Sequence, residues 1–210
     1  MKDFKYVTKK EFGPVKESLI ELINLVQDEV REYFTFRYDF IGSASRNMIT
    51  REINGNIGFD FDVNIRINDP DEKYGPDELR NILMDGFNKH SNRFQYDYAE
   101  DHSRVFTIKV KDKKNSRILH SCDFAIVYDT NDGKQQYVRF NKTNNTCSWE
   151  YQPKGYYQLN KRILVIKKNK LWQEVRDVYL DKKRNNKDPN KKSRSLFAET
   201  INEIYRRNFI

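Results

Sequence analysis

The sequence has little of what a zinc site, a disulfide framework or a membrane span requires. It contains two cysteines and three histidines in 210 residues. Cys122 and Cys147 lack the spacing of metal-binding cysteines and the histidines are scattered, so we expect two reduced thiols and no zinc site. No apolar run approaches the ~20 residues of a membrane span, and the N-terminus MKDFKYVTKKEF lacks the apolar centre of a signal peptide. These absences predict a cytoplasmic protein that does not enter a membrane.

The chain has an excess of positive charge. The chain carries 39 Lys and Arg against 31 Asp and Glu, a net charge of +8. This balance has two interpretations, a polyanionic partner such as nucleic acid or a nucleoside triphosphate, or a lysine-rich proteome. Hydrophobic residues make up 37% and aromatic residues 14% of the chain. That content is sufficient for a core of one domain, or of one domain with a small appendage.

Hydrophobic periodicity predicts one helix, then strands with a second helix among them, then further helices. The first helix is predicted over residues 13–33, with Pro14 at its first position, and the second begins at Pro76. Strands are predicted at FTFRYDFIG, GFDFDVNIRI, RFQYDYA, SRVFTIKVK, ILHSCDFAIVYD, QQYVRF and TCSWEYQ. Residues 156–183 and 195–209 have helical patterns, separated by a basic loop. The order predicts an α+β fold with a mixed sheet, divided into residues 1–155 and a helical segment, 156–210.

The strand GFDFDVNIRI carries two carboxylates on one face. Its apolar residues alternate with Asp60, Asp62, Asn64 and Arg66. Residues two apart on a strand lie about 6.6–6.8 Å apart on the same side, so the two acids repel each other. Paired carboxylates at this distance can converge on divalent ions, and Mg²⁺ prefers one or two carboxylates together with phosphate oxygens. The alternation therefore predicts a metal site at Asp60 and Asp62.

A third acid lies in the later strand HSCDFAIVYD. Asp123 shares a strand face with Ala125 and Val127, where a charge is costly unless it is paired or binds a cation. A Lys or Arg on a neighbouring strand is one possible partner. The presence of Asp60 and Asp62 favours the alternative, that Asp123 belongs to the same metal site.

A Gly-Ser pair ends the strand that precedes the acidic strand. Gly42 permits close approach of the main chain, and the Ser43 hydroxyl and the backbone N–H groups of such a turn can hold phosphate oxygens. Most Gly-Ser pairs are plain turns. The position of this one, directly before the acidic strand, is what makes it a candidate phosphate contact.

Strand-Gly-Ser, then Asp-x-Asp on the next strand, then a third Asp on a later strand resembles the nucleotidyltransferase superfamily typified by DNA polymerase β. Oligoadenylate synthases, cyclic-oligonucleotide synthases and minimal nucleotidyltransferases belong to it. The resemblance implies a nucleotidyltransferase palm with flanking helices. It also implies that Asp60, Asp62 and Asp123 are catalytic and bind Mg²⁺ or Mn²⁺, and that Gly42 and Ser43 hold the phosphates of a nucleoside triphosphate such as ATP. In larger relatives a helix after the palm supplies a basic residue, which makes Lys167 and Lys168 candidates.

The sequence departs from the pattern in one respect. Sixteen residues separate Ser43 from Asp60, more than the motif usually has. The added residues either form a longer loop that reaches the substrate through Arg46 or Arg51, or they indicate that the Gly-Ser match is accidental.

The sequence thus favours an enzyme that transfers a nucleoside monophosphate from a nucleoside triphosphate to an acceptor hydroxyl and releases pyrophosphate. The acceptor is a nucleotide, RNA, a protein or a small molecule, and the sequence does not decide among these or predict an oligomeric state. The alternative hypothesis is a non-catalytic, basic nucleic-acid-binding protein on the same fold. That alternative leaves the acids unexplained, because acids on a nucleic-acid-binding face repel the partner.

Overall fold

The chain forms nine strands and five helices in the computed structural model, which describes residues 3–69, 72–153 and 156–210. The strands are β1 (Phe4–Tyr6), β2 (Thr35–Ile41), β3 (Thr50–Glu52), β4 (Ile57–Asn68), β5 (Glu100–Asp101), β6 (Phe106–Asp112), β7 (Arg117–Asp129), β8 (Gln135–Asn141) and β9 (Thr146–Tyr151). The helices are α1 (Lys9–Val30), α2 (Pro76–Ser91), α3 (Tyr156–Lys168), α4 (Trp172–Asn185) and α5 (Ser193–Phe209). In the described part of the chain, no helix is both long and apolar enough to cross a membrane.

Seven of the strands form one mixed sheet. Its order is β2-β4-β7-β6-β5, and a hairpin of β8 and β9 continues from the end of β7. β4 and β7 are parallel, whereas the other pairs are antiparallel. β1 and β3 form a separate two-stranded sheet. The sheet is therefore mixed, and its two longest strands, β4 and β7, lie side by side at its centre.

One face of the sheet is apolar and packs against α1 and α2. The predicted apolar stripe of β4, from Phe59 to Ile67, is buried throughout, and Cys122, Phe124 and Ile126 of β7 are buried with it. The helices contribute buried leucines, isoleucines and aromatics to the same cluster, and the rings of Phe87 and Phe124 lie 4.3 Å apart. Because side chains alternate along a strand, this burial directs the intervening residues of β4 and β7 to the opposite face.

α1 begins earlier than the sequence predicts. Thr8 is its N-cap, and Thr8 and Glu11 form a capping box, in which each side chain accepts a backbone hydrogen bond from the other residue. This cap satisfies the first N–H groups of the helix, so Pro14 lies inside α1 and does not start it. The helix also ends at Val30, three residues before the predicted end, and Tyr33 is exposed. The start of α2 at Pro76 agrees with the prediction.

Three other predictions are wrong in detail. RFQYDYA contains a 3₁₀ turn, Asn92–Phe94, followed by irregular chain, and the adjacent strand β5 has only two residues. The polar segment after Ser43 contains the short strand β3, which was not predicted. The helical pattern over residues 156–183 is divided into α3 and α4, because Lys170 adopts a positive φ of 60° between them. A residue with positive φ interrupts an α-helix.

The chain divides into two compact units, referred to below as the sheet unit and the helical unit. The sheet unit comprises Tyr6–Arg51 and Gly55–Gln152, and the helical unit comprises Met1–Lys5, Glu52–Asn54 and Pro153–Ile210. The predicted boundary at residues 155 and 156 falls partly on residue 155, which lies outside the described residues, as do Pro70 and Asp71 of the predicted turn before α2.

The helical unit has its own small core. α4 and α5 bury Val175, Tyr179, Phe197 and Ile201, and the ring of Phe197 contacts the rings of both Tyr179 and Trp172. Ile163 and Ile166 of α3 are also buried. A core of aliphatic and aromatic side chains on three helices follows from the apolar spacing of the sequence.

Candidate active site

The parallel pairing of β4 with β7 brings the three predicted acids together. Asp62 is the direct register partner of Asp123, and Asp60 is the partner of Ser121. All three acids lie on the face of the sheet opposite the apolar core, because their neighbours Phe61 and Cys122 are fully buried. Asp60 is exposed, whereas Asp62 and Asp123 are half-buried. The arrangement puts three carboxylates on two adjacent strands in one region of the polar face.

Gly42 lies against the carboxylate of Asp62. The chain turns after β2, and Gly42 adopts a φ of +61° there. A Cβ atom at this position would lie 2.1 Å from Asp62 Oδ2. Position 42 therefore requires glycine for two reasons. Its backbone is left-handed, and the Asp62 carboxylate occupies the space that a Cβ atom would need. The structure thus brings the predicted Gly-Ser turn to the acidic strand, despite the long connection between them.

The long connection is mostly ordered structure. The 3₁₀ turn Ala44–Arg46 begins directly after Ser43, and the Ser43 carbonyl accepts hydrogen bonds from the backbone N–H groups of Arg46 and Met48, at 3.2 and 2.9 Å. Met48 and Ile49 are buried, and β3 follows. Arg51 forms an ion pair with Glu11, at 2.6 Å. The residues in excess of the usual motif therefore build a second small sheet with β1.

The three acids affect the pKa of Cys122, a buried residue that neighbours them in the register of β4 and β7. Burial raises the pKa of the Cys122 thiol, and the charges of Asp123, Asp62 and Asp60 raise this pKa further. A thiol with a raised pKa stays protonated and is a poor nucleophile. Cys122 is therefore an inert core residue, and its electrostatic environment shows that the three carboxylates act on one locality.

The cation on the same face of β4 is already neutralised by other acids. Arg66 donates a hydrogen bond of 2.9 Å to Asp39, and it also pairs with Asp129. Among the described residues, no Lys or Arg forms an ion pair with Asp123. In the described part of the chain, Asp123 therefore does not have the Lys or Arg partner that the sequence allowed.

The partner of Asp123 is a residue that sequence reasoning missed. Thr107 Oγ1 donates a hydrogen bond of 2.6 Å to Asp123 Oδ1, and Thr107 is the register partner of Asp123 on β6. A signal was present in SRVFTIKVK, where Thr107 alternates with apolar residues and so falls on the face of the acids. Which residue of that face would meet Asp123 depended on the strand register, which the pattern alone does not supply.

The donor set suits a hard divalent cation that is shared with a ligand. Carboxylate oxygens are the donors that Mg²⁺ and Mn²⁺ prefer. Within residues 3–69, 72–153 and 156–210, however, no three His, Cys, Asp or Glu side chains are disposed to hold a metal ion by themselves. The predicted metal site of Asp60, Asp62 and Asp123 therefore stays a prediction.

Lys167 and Lys168 lie in the last turn of α3, in the helical unit. Both are exposed, and Lys167 Nζ lies 4.8 Å from the centre of the Trp172 ring, a cation–π contact. Their predicted contact with a triphosphate stays a prediction.

His120 is a half-buried residue that packs against the rings of Phe59 and Tyr96. It stacks on Phe59 with ring centroids 5.8 Å apart, and its Nδ1 lies 3.4 Å from the Tyr96 hydroxyl. Burial lowers the pKa of His120 to about 4. The imidazole is therefore neutral at pH 7, which is the state that suits its apolar surroundings.

Solved structures with the same fold include several of DncV. The GTP-bound form of Vibrio cholerae DncV is 20% identical, with a TM-score of 0.57, and the match covers 94% of this chain and 52% of that one. Escherichia coli DncV with 3′-deoxy GTP is 15% identical, with a TM-score of 0.59, covering 92% and 54%. Vibrio cholerae DncV, a cyclic AMP-GMP synthase, in complex with the linear intermediate pppA(3′,5′)pG is 19% identical, with a TM-score of 0.55, covering 83% and 46%. No family model and no curated protein sequence matches the chain.

These likenesses confirm the predicted α+β fold with a mixed sheet and flanking helices, which this chain shares with DncV. The chain spans about half the length of the DncV chains that it matches. At these identities the fold is what the chains share. The chemistry of this chain must be argued from its own side chains.

Proposed function

We propose that the chain is a metal-dependent nucleotidyltransferase, which transfers a nucleoside monophosphate from a nucleoside triphosphate to an acceptor hydroxyl. The observation that carries this proposal is the register of β4 and β7, which pairs Asp62 with Asp123 and holds Asp60 two residues away on the same face. The close approach of Gly42 to Asp62 supports it. So does the fold, which is that of proteins whose structures contain GTP, 3′-deoxy GTP or pppA(3′,5′)pG.

In this mechanism the acids have separate roles. Asp60 and Asp62, with Asp123, would hold Mg²⁺ or Mn²⁺, and the ion would stabilise the charge that develops on the phosphate oxygens of the nucleotide. The Gly42-Ser43 turn positions the phosphates of the nucleotide. Asp123 orients the acceptor hydroxyl and takes up its proton. The acceptor oxygen then forms a bond to the α-phosphorus while the bond to the bridging oxygen breaks, and pyrophosphate leaves.

We further propose that the acceptor is the ribose hydroxyl of a second nucleotide. The DncV complex with pppA(3′,5′)pG contains two nucleotides joined in this way, and that protein has the same fold. RNA, protein and small-molecule acceptors are the outcomes that the experiment below distinguishes from this one.

The test uses purified chain with each of the four radiolabelled nucleoside triphosphates, alone and in pairs, with Mg²⁺ or Mn²⁺, and resolves the products by mass. We expect 3′–5′ or 2′–5′ linked products and pyrophosphate. We expect the Asp60→Asn/Asp62→Asn variant to lose at least about 10³-fold in rate, equivalent to about 4 kcal/mol of transition-state stabilisation. Replacing the triphosphates by their 3′-deoxy analogues should abolish 3′–5′ linkage while leaving triphosphate binding intact.

Binding is measured separately by thermal unfolding. A nucleoside triphosphate with Mn²⁺ should raise the unfolding temperature of the wild-type chain and not that of the double variant. No product with any triphosphate, together with no stabilisation in the wild type, would contradict the proposal. Stabilisation without product would leave the site as a nucleotide-binding site and point to an acceptor other than a nucleotide.

A second candidate function, binding of nucleic acid, is favoured by one observation, the distribution of charge. Residues 151–210 contain 16 Lys and Arg against 6 Asp and Glu, whereas residues 1–150 contain 23 against 25. The excess of positive charge therefore belongs to residues 151–210, in the helices and in the segments between them. Fluorescence anisotropy with single-stranded RNA and duplex DNA at 50 and 200 mM salt tests it. Affinity that falls by a factor of about 10³ over this range would support a multi-phosphate contact, and no measurable binding at the lower salt would exclude it.

A further inference from the structure

Thr107 is a buried polar residue whose side chain points at one of the three acids. It is 3% exposed, on β6, and its hydroxyl donates to Asp123 Oδ1 at 2.6 Å. The backbones of the two residues are direct partners in the antiparallel β6–β7 ladder. The position of the hydroxyl is therefore set by the sheet and does not depend on a loop.

This contact restrains the carboxylate of Asp123. A threonine side chain has few accessible χ1 rotamers, because it is branched at Cβ, and a hydrogen bond to a carboxylate is shorter and stronger than one between neutral groups. With Oδ1 held by Thr107, the plane of the carboxylate is fixed and Oδ2 remains for a further partner. A residue with such a contact orients a functional group without touching the substrate.

The chemical type of the partner matters as much as its position. A Lys or Arg in place of Thr107 would also orient Asp123. It would, however, cancel the negative charge that binds a cation or accepts the proton of the acceptor hydroxyl. Lys109, the next residue on the same face of β6, pairs with Glu100. Thr107 is neutral, so it restrains the Asp123 side chain without adding an opposite charge beside it.

We propose that Thr107 is a positioning residue for the nucleotidyl transfer proposed above, holding Asp123 so that its second oxygen serves the acceptor hydroxyl and the divalent ion. This inference rests on the proposed function, and it adds to that function a residue on a third strand. The site would then span β4, β7 and β6, with β6 supplying orientation and no charge.

The test compares Thr107→Val, which keeps the shape and removes the hydroxyl, with Thr107→Ser, which keeps the hydroxyl. Thr200→Val is the matched control, because Thr200 is also a fully buried threonine, whose hydroxyl donates to the Leu196 carbonyl at 2.8 Å in the helical unit. Each variant is measured for kcat, for the KM of the triphosphate, and for Mn²⁺ affinity without nucleotide, by electron paramagnetic resonance of the free ion.

We expect Thr107→Val to lower kcat and weaken Mn²⁺ binding by about 10–100-fold, the usual cost of losing a partner of a metal-binding group. At saturating Mn²⁺ the KM of the triphosphate should change by less than about twofold, because Asp60 and Asp62 are intact, and Thr107→Ser should recover most of the loss. Thr200→Val should leave all three quantities as in the wild type. If Thr107→Val does not fold, Thr107→Ala compared with Thr107→Ser makes the same test.

The outcomes separate this inference from the proposed function. Wild-type kcat and Mn²⁺ affinity in Thr107→Val, with activity abolished in Asp60→Asn/Asp62→Asn, would overturn the role of Thr107 and leave the transferase intact. Equal losses in Thr107→Val and Thr107→Ser would mean that packing and not the hydroxyl matters, and would also overturn it. No activity in the wild type, with Mn²⁺ binding that Thr107→Val weakens and Thr107→Ser restores, would support the orienting role of Thr107 and contradict the transferase.

Discussion

The sheet unit and the helical unit use their charged residues differently. In the sheet unit, carboxylates on β4 and β7 lie in register with one another, and the Arg80 side chain, 3% exposed, pairs with Asp101. In the helical unit the ion pairs are exposed, such as Lys182 with Glu203 at 2.8 Å, where the side chains are 27% and 47% exposed. The sheet unit thus has an ion pair whose cation is buried, whereas the Lys182–Glu203 pair of the helical unit is more open to solvent, so substitutions in these two pairs should have unequal effects.

The largest effect on stability is expected where an ion pair is buried. Asp101→Asn leaves the buried guanidinium of Arg80 without its counter-charge, although Arg80 still donates to the His102 carbonyl at 3.2 Å. We expect a loss of about 3 kcal/mol in the free energy of unfolding. Trp149 lies in the sheet unit and Trp172 in the helical unit. Urea unfolding of a Trp172→Phe background, followed by Trp149 fluorescence, therefore measures the sheet unit.

The matched control is Glu203→Gln, which removes an exposed pair from the helical unit. Trp172 fluorescence in a Trp149→Phe background should show a loss of less than about 1 kcal/mol. Equal losses for Asp101→Asn and Glu203→Gln would contradict the difference between the units.

A substitution at Gly42 is expected to have a smaller effect on stability, and in addition to weaken Mn²⁺ binding. Gly42→Ala forces a residue with a Cβ into a left-handed conformation, at a cost of about 1–2 kcal/mol, and it displaces the Asp62 carboxylate. Gly133 is the control, because its φ is +75° and a Cβ there would meet no atom within 4 Å. Gly133→Ala should have the same stability cost without loss of Mn²⁺ binding, measured by electron paramagnetic resonance. Equal Mn²⁺ affinities in the two variants would show that Gly42 serves the turn alone.

The smallest effect is a dependence on pH that belongs to the sheet unit, which contains all three histidines. Burial lowers the pKa of His120 to about 4, below the ordinary value of about 6.5. As the pH falls below about 6.5 the unfolded chain binds a proton that the folded chain does not, so stability decreases down to about pH 4. Because His120 is only half-buried, the slope should be well below the limit of about 1.4 kcal/mol per pH unit.

His120→Gln should reduce this slope, measured by Trp149 fluorescence in urea at each pH, whereas His102→Gln, at an exposed position, should not. The two slopes are compared and not the absolute stabilities, because His120→Gln also removes the stacking on Phe59. An unchanged slope in His120→Gln would contradict the pH dependence assigned to this residue.

Much of the fold could be predicted from local patterns, and the failures have local causes. The alternation of β4 predicted its buried face correctly, because one side of a strand that covers a core must be apolar. The start of α1 was misplaced, since the Gly13-Pro14 pair is a weaker signal than the capping box of Thr8 and Glu11. RFQYDYA was predicted to be a strand, but only two residues beyond it pair with β6. The break between α3 and α4, at Asn169, Lys170 and Leu171, has no Pro or Gly to mark it.

The sequence by itself determined which side chains share a face, because the period of a strand is two and the burial of Phe59, Phe61 and Val63 leaves Asp60 and Asp62 no other direction. Only the tertiary structure decided which faces meet. That Asp123 lies beside Asp62, that Gly42 touches the carboxylate of Asp62, and that Thr107 holds Asp123 all follow from the order and register of β2, β4, β7 and β6. Register is set by pairing between distant segments of the chain, and a change of one residue would move every one of these side chains to the opposite face.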